Sequence, residues 1–159
     1  MKTKTNIKLD LLPMEQSRLK AHHIKVRDVP KHSVDELREL LNVPLIRAME
    51  IYAMVEFQSI PSIGIKFARD LISLGYYSLN DLKDINGAKL LEDLESSTGA
   101  WIDPCVEDQC RLVVYYAHHK DDNKRWWDFT DERKNYRTLH GYPVNRPAKA
   151  WFELEKYKK

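Results

Sequence analysis

The chain has 159 residues, of which 43% are hydrophobic and 31% are charged, a composition that favours a folded protein over a disordered one. Five glycines and seven prolines argue against a sandwich or barrel with many turns, and no apolar run is long enough to span a membrane. The net charge of +2 is unevenly distributed: residues 1–32 hold eight basic and three acidic residues, residues 33–119 seven and fourteen, and residues 120–159 eleven and seven. We therefore predict a basic N-terminal arm, an acidic helical domain and a basic, aromatic C-terminal extension packed on that domain.

The arm shows only weak periodicity, and we predict one short helix in it, from Met14 to His23. The helical domain begins with a capping box, because Ser33 is followed three residues later by Glu36. Helical spacing of leucines follows, and Asn42-Val43-Pro44 interrupts it. A second helix is predicted from Leu45 to Phe57.

Residues 57–82 read FQSIPSIGIKFARDLISLGYYSLNDL and look like a helix-hairpin-helix motif. An apolar helix ends at Ile60, a tight turn Pro61-Ser62-Ile63-Gly64 follows, and a second helix stops at Gly75. Proline pre-sets φ for the turn, and we expect Gly64 to adopt a conformation closed to other residues. The start of the second helix offers backbone N–H donors to a phosphate.

The predicted nucleic-acid site consists of this turn and the cations that follow it. Many such motifs hold two glycines in the turn, and here a serine stands in the place of the first. Since helix-hairpin-helix units also serve as packing units or protein-interaction surfaces, and since the helical domain is acidic, that second interpretation stays open. The predicted hairpin residues are Ser62, Ile63, Gly64, Ile65, Lys66 and Arg69.

A second helix-hairpin-helix unit is predicted downstream. A helix start at Ser78 leads to the turn Ile85-Asn86-Gly87, and a helix from Ala88 to Ser97 follows. Asp103-Pro104 then opens a long helix. The fold class is therefore predicted to be all-α, a paired helix-hairpin-helix (SAM-like) domain with a helical extension.

The extension begins with a dense aromatic segment, Arg125–Phe129. A helix is predicted from Thr130 to Gly141 and a shorter one from Ala148 to Lys159. The aromatic residues either dock the extension on the domain or stack on single-stranded nucleic acid. Three cations on one side of the first helix join the predicted nucleic-acid site: Arg133, Lys134 and Arg137.

Metal and catalytic chemistry find little support in the sequence. There is no Cys-x-x-Cys pair, nucleotide-binding loop or His-Glu-x-x-His. The acidic pairs Asp81/Asp84 and Asp121-Asp122 come without a third ligand. Cys105 lies near a helix N-terminus, where a thiolate is favoured, but no positioned base accompanies it. We expect no metal, no cofactor and no enzymatic activity.

The cellular location follows from the N-terminus and the thiols. The first residues, MKTKTNIKLDLLPMEQ, lack the apolar stretch of a signal peptide. Cys105 and Cys110 fall five residues apart on one helix, a poor geometry for a disulfide. Reduced thiols and a cytoplasmic location are therefore expected.

The run from Ser33 to His119 resembles the bacterial pathogenicity-locus family of small helix-hairpin-helix proteins, sometimes labelled mitomycin resistance. The matching signatures are the hairpin sequence above, DPCVEDQCRLVVYYA and KRWWDFTDERKNYRTLHGYPVNRP. The resemblance implies an all-helical bacterial protein, and the mitomycin label suits DNA-damage tolerance. The expected function is sequence-independent DNA binding without catalysis. The alternative is a protein-interaction or oligomerisation module that binds no nucleic acid.

Overall fold

A computed structural model describes residues 6–154 and 156 of the chain. Regular structure in these residues is helical, apart from one isolated parallel bridge between Trp101 and Ala150. The predicted all-α fold class is therefore confirmed. None of the helices in the described residues combines the length and apolarity needed to cross a bilayer.

The α-helices follow one another along the chain with short connections. They are α1 (Pro13–Ala21), α2 (Val34–Leu41), α3 (Leu45–Gln58), α4 (Ile65–Ser73), α5 (Leu79–Leu82), α6 (Gly87–Thr98), α7 (Pro104–His119) and α8 (Thr130–His140). Short 3₁₀ helices lie at Val26–Lys31, Trp126–Phe129 and Trp151–Glu153.

The helices belong to two compact units, Met1–Asp81 and Leu82–Lys159, and the boundary falls within α5. The predicted arm is part of the first unit and the predicted extension is part of the second. Residues 33–119, predicted as one domain, contribute helices to both units.

The first unit is built around the apolar faces of α2 and α3. Leu37, Leu41, Ala48 and Val55 are fully buried there, at the helical spacing that the sequence predicts. The capping box at the start of α2 is confirmed, because the Ser33 Oγ accepts a hydrogen bond from the backbone N–H of Glu36 at 3.1 Å.

The turn between α3 and α4 separates two packed helices, as predicted. Ile60 and Ile63 are fully buried beneath it, and Ala68 of α4 is fully buried as well. One expectation is wrong: Gly64 has φ −105° and ψ −175°, an extended conformation that any residue adopts. The left-handed residue of this turn is Ser62, with φ +66°.

In the second unit α6 packs against α7, and the extension packs on α7. Asn86 caps α6 and Asp103 caps α7, since each side chain accepts backbone N–H groups of the following turn. The buried apolar residues of this unit are Leu82, Ala88, Leu90, Leu91, Leu94, Ala100, Cys110, Leu112, Val113, Ala117, Phe129 and Ala150.

The predicted helix from Thr130 is confirmed as α8, but the predicted helix from Ala148 onwards is wrong. Among the described residues of that range, a 3₁₀ turn forms at Trp151–Glu153, Leu154 after it is extended with ψ 144°, and Lys156 is again in a 3₁₀ conformation. The bridge at Ala150 holds the preceding backbone in an extended conformation, so that a helix does not begin there. Residues 155 and 157–159 of that prediction lie outside the described residues.

Candidate phosphate-binding hairpin

The turn before α4 exposes some of its predicted site residues and buries others. Ser62 is half-buried, whereas Gly64 is exposed and forms the N-cap of α4. Ile63 is fully buried, and its backbone N–H donates to the Ile60 carbonyl at 3.2 Å. Within the turn, therefore, Ile63 supports the local fold and Gly64 forms the accessible surface.

The start of α4 has the features of an anion-binding helix end. Because Gly64 has no side chain, it cannot accept a hydrogen bond from the first turn of the helix in the way that a serine or asparagine cap does. A Cβ built on Gly64 meets nothing within 4 Å, so the approach to this backbone is open. Ile65 is half-buried and Lys66 is exposed in the same helical turn. The helix dipole and the lysine both favour negative charge here.

Arg69, one turn further along α4, is engaged by the arm. Its guanidinium forms an ion pair with the Asp10 carboxylate, and the two side chains are 53% and 75% exposed. Exposed pairs of this kind contribute little stability. An external phosphate would therefore compete with Asp10 for Arg69 at little cost.

The arginines of the extension face inward, towards buried acids of α7. The Nε of Arg133 donates to the Asp108 carboxylate at 2.6 Å, and the Nε of Arg137 donates to Glu107 at 3.0 Å. Both acids are 0% exposed. Arg137 also pairs with Glu92 at 3.2 Å. A buried carboxylate needs such a partner, so these two arginines hold α8 against α7.

Lys134 differs from its two neighbours, because it is exposed on α8. Of the three extension cations predicted to bind nucleic acid, it is the one that lies on the surface. The structure thus does not bring the three together as one outward basic face.

A third buried acid completes this arrangement and was not foreseen from the sequence. Glu95, 1% exposed, receives two hydrogen bonds from Arg146, at 2.9 and 2.8 Å, and one from the Ile102 backbone N–H at 2.7 Å. Arg146 also stacks 3.6 Å above the centre of the Tyr142 ring, and Arg137 stacks on the same ring at 4.2 Å. The available signal was the position of Glu95 next to Leu94 on an otherwise apolar stripe of α6.

The backbone of the second turn, before α6, is covered by neighbouring residues, whereas the space around Gly64 in the first turn is empty. The Asn86 side chain accepts the N–H groups of Ala88 and Lys89 at 2.8 and 3.1 Å. A Cβ built on Gly87 would lie 2.9 Å from the Cγ and 3.0 Å from the Cα of Arg111. This turn therefore contacts α7 closely, and the first N–H donors of α6 already have an acceptor.

Three of the four acids in the candidate pairs have structural partners, Asp122 through the Tyr116 hydroxyl at 3.2 Å. Asp81 accepts the Tyr77 N–H at 3.0 Å, and Asp121 accepts the Tyr115 hydroxyl at 2.9 Å. Although Cys105 is exposed, desolvation of its thiol and then the hydrogen bond with Asp103 raise the pKa of this thiol. The expectation of a favoured thiolate at Cys105 is therefore wrong. Among the described residues, no group of three His, Cys, Asp or Glu side chains is placed to hold a metal ion.

A family model described as Cdd1, Pathogenicity locus, matches residues 50–135. The match covers just over half of the chain. The chain belongs to the pathogenicity locus family. The matched segment runs from within α3 to within α8 and includes both turns, whereas the arm and the residues after 135 lie outside it. No curated protein and no solved structure matches the chain.

Proposed function

We propose that this member of the pathogenicity locus family is a non-catalytic DNA-binding module that contacts phosphates without reading bases. In this proposal the two turns belong to a paired helix-hairpin-helix, SAM-like domain, and the first turn makes the contact. The observation that supports the proposal best is the open start of α4, where an exposed glycine replaces a capping side chain. We propose DNA-damage tolerance as the cellular role of this binding, because that role suits the mitomycin label of the family that the sequence resembles.

The chemistry of the turn favours phosphate over a base edge. Backbone N–H groups at a helix N-terminus and an ammonium group recognise a charged oxygen and carry no sequence information. Lys66 lies in the first turn of α4, and Arg69 lies one turn later. The proposed contact therefore consists of the backbone from Gly64, the Lys66 ammonium and the Arg69 guanidinium after its release from Asp10.

A salt titration of duplex binding tests this contact in the full chain. Lys66→Ala should weaken binding similarly for all sequences and reduce the slope of log affinity against log salt by about one. Lys20→Ala is the matched control, because it removes an exposed lysine from a helix of the same unit. If Lys66→Ala and Lys20→Ala behave alike, the hairpin is not the site; if the unaltered chain ignores DNA at low salt, the proposal fails.

Whether the C-terminal extension contributes to DNA binding has to be tested by substitution and not by truncation. A chain ending at His119 would lack Arg133 and Arg137, so Asp108 would lose its arginine partner and Glu107 would keep only Arg111. Unpaired buried charge destabilises strongly, so loss of binding after truncation would report unfolding. Lys134→Ala in the full chain measures the contribution of the extension. A change in salt slope there, with none for Lys66→Ala, would move the contact to α8.

The second candidate function is a protein-interaction or oligomerisation module. It is favoured by the second unit, where the arginines turn inward and large apolar side chains remain on the surface. Trp127 and Phe152 are each 55% exposed, and Leu139 is 78% exposed. Light scattering across a range of protein concentrations tests this candidate. A monomer mass that stays constant would rule out oligomerisation and leave only binding to a different protein.

A further inference from the structure

The N-terminal arm supplies positive charge that residues 33–119 lack. Residues 1–32 hold eight basic and three acidic residues, whereas residues 33–119 hold seven and fourteen. Each of the three arm acids is already paired with a basic side chain of the protein. The pairs are Asp10 with Arg69, Glu15 with Arg47 at 2.8 Å, and Asp28 with Lys31 at 3.1 Å. The charge that the arm presents to a partner is therefore positive.

Gln58, the last residue of α3, fixes the position of the arm. Its side chain is buried, with 1% of the residue exposed. The amide oxygen accepts the Lys8 N–H at 3.0 Å, and the amide nitrogen donates to the Lys8 carbonyl at 2.7 Å. The same nitrogen donates to the Met54 carbonyl at 3.0 Å, which fixes the orientation of the amide. The arm is thus held at the end of α3 that leads into the turn before α4.

Three exposed cations of the arm lie at this end of α3. Ile7, the residue before Lys8, packs against the core of the first unit and lines a surface cavity of about 260 Å³. The other residues that line the cavity are Lys25, Val26 and Arg27. Lys8, Lys25 and Arg27 are exposed. Ile7 therefore connects Lys8, its neighbour in the chain, with the other two cations, its neighbours in the fold.

The turn before α4 is within reach of the same partner. Gln58 and Ser62 are four residues apart, so at most about 14 Å separates their Cα atoms. A duplex rises by about 3.4 Å per base pair, so this distance corresponds to roughly four base pairs. A single duplex is therefore long enough to contact the turn and the docked arm together.

We propose that Lys8, Lys25 and Arg27, called the arm surface here, form a second phosphate contact for the duplex that the turn before α4 holds. This inference rests on the proposed function and extends its site across the end of α3. Ammonium and guanidinium groups contact phosphates without reading bases, and each neutralised phosphate adds to affinity and to its salt dependence. DNA is favoured over an acidic protein because the arm surface lies next to the open start of α4, whose backbone donors suit phosphate.

A salt titration of duplex binding in the full chain tests the arm surface. The test variant is Lys25→Ala with Arg27→Ala. The matched control is Lys20→Ala with Arg38→Ala, which also removes one exposed lysine and one exposed arginine from the first unit. The test variant should reduce the slope of log affinity against log salt by about two, and the control should reduce it by much less. Adding Lys66→Ala to the test variant should reduce the slope by about one more.

The outcomes separate this inference from the function on which it rests. If the test variant and its control have equal slopes while Lys66→Ala alone still lowers the slope, the hairpin contact stands and the arm surface is overturned. If the unaltered chain ignores duplex at low salt, both proposals fail.

Two further measurements check the partner and the continuity of the site. Titration at high protein concentration should give one duplex per chain, and two duplexes per chain would mean that the arm is a separate site. Poly-L-glutamate serves as the probe for an acidic protein partner. A test variant that loses affinity for this polymer but keeps its affinity for duplex would overturn the assignment to DNA.

Discussion

The two turns of the segment matched by the family model have similar sequences, but the backbone of the first is exposed and the backbone of the second is packed against another helix. Each places an isoleucine and a glycine at the start of a helix, at Ile63-Gly64 before α4 and at Ile85 to Gly87 before α6. Around Gly64 there is open space, and the cap has no side chain. Around Gly87 the backbone of α7 lies so near that a Cβ would clash, and Asn86 occupies the first N–H groups.

This difference separates two reasons for a glycine at a helix start. At the second turn the small residue permits close helix packing, and the donors of α6 are used within the protein. At the first turn a side chain at Gly64 would meet no neighbouring atom, so packing does not require a glycine there. The exposed, extended backbone of Gly64 leaves the start of α4 accessible. A role in binding therefore fits the first turn, and a role in holding α6 on α7 fits the second.

The largest effect is expected at the packed glycine. Gly87→Ala should destabilise the protein by about 1–3 kcal/mol, because the added Cβ would have to displace the Arg111 backbone. Chemical denaturation of the full chain measures this change. An unchanged unfolding midpoint would show that the turn before α6 is no tighter than the one before α4.

The cap of the same turn gives the next effect. Asn86→Ala removes the acceptor for the Ala88 and Lys89 N–H groups and should cost about 1 kcal/mol. Asn86→Ser retains an acceptor at this position and is the matched control, so it should recover most of that loss. Equal destabilisation by the two variants would contradict a capping role for Asn86.

At the first turn the strained residue is a serine, and its replacement should stabilise the protein. Ser62 has φ +66°, which costs a residue with a Cβ roughly 1–2 kcal/mol. Ser62→Gly removes that cost but adds backbone freedom to the unfolded chain, worth about 0.5–1 kcal/mol. The net gain should be a few tenths of a kcal/mol to about 1, seen as a higher denaturation midpoint. A loss of stability would mean that other contacts of the serine outweigh the strain.

Local signals predicted the helices well, and long-range contacts decided the rest. Ser33, Asp103 and the apolar spacing of α3 act within one or two turns, so the sequence reveals them. The inward pairing of Arg133 and Arg137 depends on acids 25 and 30 residues away, which no local pattern identifies. The sequence does indicate that Gln58 is unusual, because it is a polar residue on the same face of α3 as the apolar Ile51 and Val55. Its partner, the backbone at Lys8, is 50 residues distant, and only the fold brings the two together.

The stability changes expected at Gly64 are as small as the one at Ser62, and they sharpen the comparison most. Gly64→Ala adds a methyl group to open space in an extended conformation and should stabilise by about 0.4–1 kcal/mol through the unfolded chain. Gly64→Ser should change stability by a similarly small amount, and in addition it supplies a hydroxyl that caps the first turn of α4 as Asn86 caps α6. Both variants should keep the fold, so DNA affinity distinguishes them. If phosphate uses the N–H groups at this helix end, the serine competes with it and weakens binding, whereas the alanine adds no competing acceptor and reduces affinity less. Equal affinity of the two variants at several salt concentrations would show that the end of α4 is accessible but is not where DNA binds.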